Sequence, residues 1–557
     1  MIENSMKIKN LKLKIVLLLI ILIGAFFRFY KLDWGDGLYT HPDEYHIATS
    51  VSQLSFPTQM HPHFFSYGTV TIYLIYFTEQ LFQFVNSHYS LFIIHNSFLI
   101  GRFYSAFFST LTIVIIYYIS RFFFSDRFSL FPTTLVALTP GLIQQAHFST
   151  PESTLTFFLF CCLLLILLFV KTKKTYAIFL SAMFLGLALG VKISSLVLIS
   201  PLLTSIIFTH FKKPLKIIKI LLGVISIALL TFAIGAPFVF LDFPAFLGNV
   251  RYEGGLAIGT IPVFYTRQFI NTIPVVFQLT NILPYALGPF FLFASIEGFF
   301  VFMYIFLKKR QIQICMLLLT FLSLFISNAF LFAKWTRFIA PTFPFFALFA
   351  ALFVFAIARK NTFLYSLFIS VVLLPTMLWT LAFFTMYTKP DVRITASDWL
   401  VAHLPPHSTV LVEGGNTVDL PLSGDYKKTS LNFYSLEDNF LERDKIINTL
   451  YTSDYFLVQS RRVFYNHQKA RSQFPKTANF YDALFAGKLG FVQIKEFHSF
   501  PKLEIARPER DRGGNWKLEI PDEGAEETWS VFDHPVIRIF KKTTTLSLAE
   551  YEKVFEN

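Results

Sequence analysis

Charge and cysteine are both scarce in this chain. Asp, Glu, Lys and Arg make up 15% of its 557 residues, whereas 54% are hydrophobic and 18% aromatic. With so little charge and repeated apolar runs of about 20 residues, the length that crosses a bilayer core, the chain reads as a polytopic membrane protein. The three cysteines, Cys161, Cys162 and Cys315, all fall inside apolar runs. There they act as small hydrophobes, which excludes a disulfide framework or a cysteine metal site. No short repeat or low-complexity tract is present, and no Gly-rich phosphate loop opens a nucleotide-binding unit ahead of the spans. The N-terminal stretch has a basic start and an apolar run but lacks the small residues of a cleavage site, so it reads as an uncleaved first span.

The positive charge is better explained by topology than by nucleic acid. The formal net charge is +13, but the basic residues sit in short clusters between apolar runs. Lys and Arg near span ends resist translocation and mark the cytoplasmic side. The clusters are Lys7 to Lys14, Arg121 to Arg127, Lys171 to Lys174, His210 to Lys219, Lys308 to Arg310, and Arg359 with Lys360. Setting each as an inner boundary gives spans near 15–30, 93–120, 128–146, 154–170, 176–191, 194–210, 217–240, 282–307, 312–333, 338–358 and 362–386, about eleven in all. The apolar segment from Tyr67 does not fit this alternation and reads as a helix in or against the membrane surface, within a long first external loop. From Lys389 onward the chain turns polar, with strand-like runs such as "STVLVEGG", "DYFLVQS", "GFVQIKEF" and "PVIRIF". The expectation is therefore an all-α membrane domain over 1–388 and a soluble α/β domain over 389–557. The odd number of spans puts the N-terminus in the cytoplasm and the second domain outside the plasma membrane.

Sorted by side, the unusual polar residues gather on the external face. Arg28 ends the first span, and Asp43 and Glu44 lie in the first loop within "GLYTHPDEYHIATS". Arg102 sits just inside the second span. His147 and Glu152 lie between the third and fourth, Lys192 follows the fifth, Tyr265 and Arg267 occupy a later loop, and Arg337 begins the tenth. External cations oppose the charge bias and suit an anionic ligand such as a lipid phosphate, which Lys meets as a point charge and Arg as a fork. A carboxylate beside them suits group transfer. Plainer readings exist for several: Arg28 can snorkel, His41 and His46 can be loop surface, and Glu152 after Pro151 can cap a helix.

Several segments resemble the GT-C glycosyltransferases that use polyprenyl-phosphate sugars, the group of protein O-mannosyltransferases and aminoarabinose transferases. They include "FRFYKLDWGDGLYTHPDEYHIA", "HPHFFSYG", "TPGLIQQAHFSTPESTLTFF", "LGLALGVKISSLVLISP" and "KWTRFIAPTFPFFALFAA". The resemblance implies that Asp43 is the catalytic acid of the first loop, with Glu44 completing the pair. It places Glu152 where many members carry Asp, and matches Lys192 and Arg337 to positions suited to the lipid phosphate.

The expected activity is an inverting transfer of a sugar from a polyprenyl-phosphate donor to an extracytoplasmic acceptor, whether lipid, glycan or protein. Asp43 (with Glu44 and Glu152) is expected to supply the acid–base chemistry. Lys192, Arg337, Arg28 and Arg102 are expected to hold the donor phosphate, and His147, Tyr265 and Arg267 to line the acceptor groove. Asp43, Glu44 and Glu152 could also supply oxygen ligands to a divalent metal. The alternative from another class is a transporter or lipid flippase, for which Glu297, near mid-depth of its span, is the best support.

Overall fold

The computed structural model describes residues 2–85, 93–358, 361–414, 420–505 and 516–556. The basic pair at 359–360 lies outside the described residues. The chain divides into two compact units. One comprises Met1–Leu32, Asp43–Gly254 and Gln278–Ala382, and the other Asp33–Pro42, Gly255–Phe277 and Phe383–Asn557.

The first unit is helical. Its elements begin with α1 (Ile2–Phe29), α2 (Pro42–Ser52), α3 (Thr69–Val85), α4 (Ile93–Ser120), α5 (Leu130–Ala137), α6 (Pro140–His147), α7 (Glu152–Thr172), α8 (Thr175–Leu189), α9 (Ile199–His210) and α10 (Pro214–Gly235). Helices Pro289–Lys309, Ile312–Ala329, Phe343–Ala358 and Thr362–Phe384 follow later in the chain, with shorter helices between α10 and the last of them. Among the described residues eight helical stretches are long and apolar enough to cross a membrane, and each coincides with one of the eleven segments expected from sequence. The chain is a multi-pass membrane protein. Of the other three segments, the first lies within the 28-residue α1, whose early turns carry lysines, and the fifth forms the shorter apolar helix α8.

The third, expected as one span over 128–146, is broken. Pro140 has no N–H to donate, and its ring disfavours helical backbone at the residue before it. Thr139 is accordingly extended (ψ 112°), and two eight-residue helices replace one span. The segment from Tyr67 forms α3, which packs on α4 and shares a small core with α2 built from Ile47, Val51, Leu54, Tyr67, Ile72, Ile75 and Tyr76. Its opposite face exposes Phe77, Leu81 and Phe84.

The second unit is an α/β sandwich around a five-stranded sheet of order β2-β1-β3-β7-β4. The strands are β1 (Thr409–Gly414), β2 (Lys427–Asn432), β3 (Tyr455–Val458), β4 (Phe491–Phe497) and β7 (Ile537–Lys542), with β5 (Lys502–Ile505) and β6 (Trp516–Glu519) forming a separate pair. β1, β2 and β3 run parallel, and β7 is antiparallel to both β3 and β4. Strand side chains alternate between faces. Leu411, Phe456 and Phe540 pack into one core with Ile446, Phe480 and Tyr551, while Val410, Leu457 and Ile539 pack into the other with Val392, Ala396 and Leu400. Both faces of the sheet are covered, as a parallel core requires. The lysine-rich β2 sits at an edge, where charge discourages further pairing.

Candidate active site

Three acid–base contacts in the first unit involve six of the predicted residues. Asp43 opens α2, directly after Pro42, where an acidic side chain in the first turn is favoured by the helix dipole. Its carboxylate is ion-paired to Arg337 and accepts a hydrogen bond from the Tyr67 hydroxyl at 2.8 Å. Successive helical residues point about 100° apart, so the neighbouring Glu44 faces elsewhere. It takes a two-pronged bond from Arg102 at 2.8 and 2.9 Å and accepts the Ser149 backbone N–H at 2.6 Å. Arg102 also donates to the Leu32 carbonyl at 2.8 Å, and both members of the pair are wholly buried.

The third contact joins Lys192 to Glu152, Nζ to Oε1 at 3.0 Å. Glu152 begins α7, and its Oε2 is buried without a hydrogen-bond partner. Lys192 also lies over the rings of Phe338 (4.8 Å) and Tyr67 (5.5 Å). Tyr67 therefore bridges the two halves, with its hydroxyl on Asp43 and its face toward Lys192. The backbone explains the meeting: Gly68 N–H donates to the Val191 carbonyl (2.9 Å) and Val70 N–H to that of Gly190 (3.1 Å). A Cβ on Gly68 would lie 2.0 Å from the Gly190 oxygen, so only glycine allows this approach. Tyr67 and Lys192 flank the clamp directly.

Lys192 and Arg337 line a narrow cavity with Ser194, Ser195, Asn328 and Phe338. Its open volume, about 20 Å³, suits a water molecule rather than a sugar ring. The formal charges of Asp43, Glu152, Lys192 and Arg337 balance.

Other expected residues are placed differently. Arg28 is fully buried and donates to Ser109 Oγ (2.7 Å) and to the carbonyls of Gly24 (2.9 Å), Ala137 (2.9 Å) and Val136 (3.0 Å). It caps the end of α5, where the break before Pro140 leaves carbonyls exposed, and none of its bonds goes to the Asp43 cluster. His147 closes α6 with Nδ1 2.8 Å from the Ile143 carbonyl and Nε2 3.1 Å from that of Tyr30. Tyr265 and Arg267 belong to the second unit, on the turn Phe264–Phe269. There Arg267 donates to the Tyr434 carbonyl (3.0 Å), contacts His467 Nε2 (2.7 Å) and stacks on Phe474 (4.4 Å). Burial lowers its pKa below the usual guanidinium value. Asp43, Glu44 and Glu152 form no group that could hold a metal ion, and no set of three or more His, Cys, Asp or Glu among the described residues does so. Glu297 is half-buried on the helix Pro289–Lys309.

Sequence reasoning missed Tyr67 and Ser149. Nothing in the pattern separates Tyr67 from 23 other tyrosines except the glycine after it. Ser149 acts through its backbone, which no side-chain motif reports.

Residues 85–236 match the family of dolichyl-phosphate-mannose-protein mannosyltransferases. Among solved structures, the archaeal oligosaccharyltransferase of Archaeoglobus fulgidus, in complex with an inhibitory peptide and a dolichol-phosphate, superposes with a TM-score of 0.52 at 14% identity, over 85% of this chain and 72% of that one. Its apo form gives 0.51 at 13% identity, over 84% and 72%. The fold is GT-C. ArnT from Cupriavidus metallidurans, bound to undecaprenyl phosphate, aligns over 80% of this chain and 92% of its own at 13% identity, with a TM-score of 0.49. No curated protein sequence matches the chain. The GT-C likeness spans most of the chain, while the family match falls on α4 through α10 and contains Glu152 and Lys192.

Proposed function

We propose that this protein is a membrane glycosyltransferase that moves a sugar from a polyprenyl-phosphate donor to an extracytoplasmic acceptor with inversion. The mannosyltransferase match and the GT-C fold support the class of reaction. The contact that carries the mechanism is Asp43 held between Arg337 and the Tyr67 hydroxyl, beside Lys192. In this reading the acceptor oxygen or nitrogen attacks the anomeric carbon and Asp43 takes its proton. The bond from that carbon to the phosphate oxygen breaks, and its electron pair leaves on the lipid phosphate. Lys192 and Arg337 meet that charge as it forms, a contribution that grows in a water-poor site.

The balanced charges and the narrow cavity support an ordered entry. An arriving phosphate has to draw Arg337 away from Asp43, so donor binding both seats the leaving group and releases the base. Glu152 steers the Lys192 ammonium, and Tyr67 keeps the freed Asp43 carboxylate oriented. Glu44 with Arg102 and Arg28 with α5 hold the frame around them. We place the N-terminus in the cytoplasm, the soluble domain outside, and Tyr265 and Arg267 in that outer domain, in keeping with the distribution of basic clusters. Asp43→Asn is expected to lower transfer from a polyprenyl-phosphate sugar by about 100-fold or more without shifting the unfolding temperature. Turnover at the parent rate in that variant would remove Asp43 as the base.

A further inference from the structure

The second unit holds a cluster of buried polar side chains that the transfer chemistry does not use. β1, β2 and β3 are parallel in spatial order β2-β1-β3, so the chain leaves β1 to one side and crosses back over it to reach β3. In open α/β sheets such a reversal opens a crevice beyond the carboxyl ends of the strands, where ligands bind. Here those ends deliver Glu413 from β1, Tyr434 from the turn after β2, and Arg461 and Arg462 from the turn after β3. All four are at least nine-tenths buried.

Glu527 joins them. It is ion-paired to Arg462, accepts from Asn466 Nδ2 at 2.9 Å, and donates its backbone N–H to Gln268 Oε1 at 3.1 Å. Tyr481 donates to Glu413, and Tyr434 feels the charges of Arg462, Glu527 and Glu413. Four buried atoms in this cluster make no hydrogen bond within the protein: Tyr434 Oη, Gln268 Nε2, Asn466 Oδ1 and Arg461 Nε. Buried polar side chains nearly always have partners, so such a concentration points to a partner from outside the chain.

Its chemistry can be read from the atoms. Gln268 Nε2 and Arg461 Nε donate, Asn466 Oδ1 accepts, and Tyr434 Oη does either. The cations Arg267, Arg461 and Arg462 are nearly balanced by Glu413 and Glu527. A phosphate would set its oxygens against the acceptors, whereas hydroxyl groups, donors and acceptors at once, fit the mixture. Aromatic faces are at hand: Phe264 and Phe532 lie 5.8 and 5.9 Å from the Arg462 guanidinium.

We propose that this switch point is a carbohydrate-binding site for a neutral sugar residue of the acceptor. The word acceptor rests on the transferase reading; the site itself does not. The test uses the full-length protein in lipid nanodiscs and saturation-transfer NMR, with methyl glycosides of mannose, glucose and galactose as probes. At least one probe should bind, and both Tyr434→Phe and Gln268→Met should weaken it tenfold or more while unfolding near the parent temperature. Asp43→Asn should bind like the parent, so a failed transfer mechanism and a failed sugar site give different results. If one of the two variants misfolds, the other carries the comparison. Three results overturn the proposal: no binding by any probe, binding unchanged in the folded variants (a polar core filled only by water), or binding lost with Asp43→Asn.

Discussion

Asp43 and Glu44 are adjacent carboxylates with separate fates. Sequence placed both in the chemistry, because a residue pair carries no label for which member faces which neighbour. The helical turn separates them, sending Glu44 into a dry two-pronged pair with Arg102 and Asp43 to Tyr67 and Arg337. Arg28 shows the same limit from the cationic side. Its position at a span end suggested phosphate binding, yet its donors meet Ser109 and three backbone carbonyls. The partners Val136 and Ala137 became available only because Pro140 ends a helix more than a hundred residues later, a long-range event invisible near Arg28. Replacing Arg28 by Leu leaves buried carbonyls without donors and should cost on the order of 3 kcal/mol. Thermal unfolding should register that loss, while turnover per folded molecule stays near the parent value. A selective rise in the KM for donor would instead restore Arg28 to the phosphate site.

Elements were more legible than the joints between them. Apolar length found the long helices, and alternation found β1, β3, β4 and β7, because burial on one or both faces writes a period into the sequence. The break at Pro140 has a local cause and could have been read from the proline itself. The clamp between Gly68 and the end of α8 could not, since its bonds are made by backbone and its only trace is a pair of glycines far apart in sequence. Gly68→Ala should force its new methyl group onto the Gly190 carbonyl. The expected outcome is a separation of α3 from α8, with Tyr67 drawn off Asp43 and away from Lys192. Transfer should fall at least tenfold, more steeply than for an alanine at Gly248, which has open space where a Cβ would sit and no left-handed backbone. Equal activity in the two variants would show that the clamp does not position the site.

At the scale of the whole molecule, the change from apolar to polar sequence near Lys389 announced a soluble α/β region, and that change is written in composition. The contributions of residues 33–42 and 255–277 to the second compact unit were not legible, because short segments between helices carry no periodicity of their own. That unit also contains a pH-sensitive tie. His534 is buried between Asp522 (2.8 Å) and Asp533 (2.5 Å). Burial alone would lower its pKa, but the two carboxylates outweigh it and raise the value to about 10. A folded-state pKa above the unfolded one adds stability that is complete below the unfolded value and is lost as pH rises through the folded one. The denaturant midpoint of the second unit should therefore fall between pH 6.5 and about 10, and His534→Gln should flatten that fall.

The Arg28 cap also has a consequence for biosynthesis. The chain is made from its N-terminus, so α1 is inserted with its guanidinium while Ser109 and the α5 carbonyls have yet to be synthesised. An arginine at the end of a membrane helix can snorkel to the interface until its partners arrive, which makes α1 a waiting element. It gains its partners outside α1 only when α4 and α5 emerge, so its final bonding waits on helices made later. The docking of α1 thereby depends on residues 109, 136 and 137, all far along the chain from Arg28.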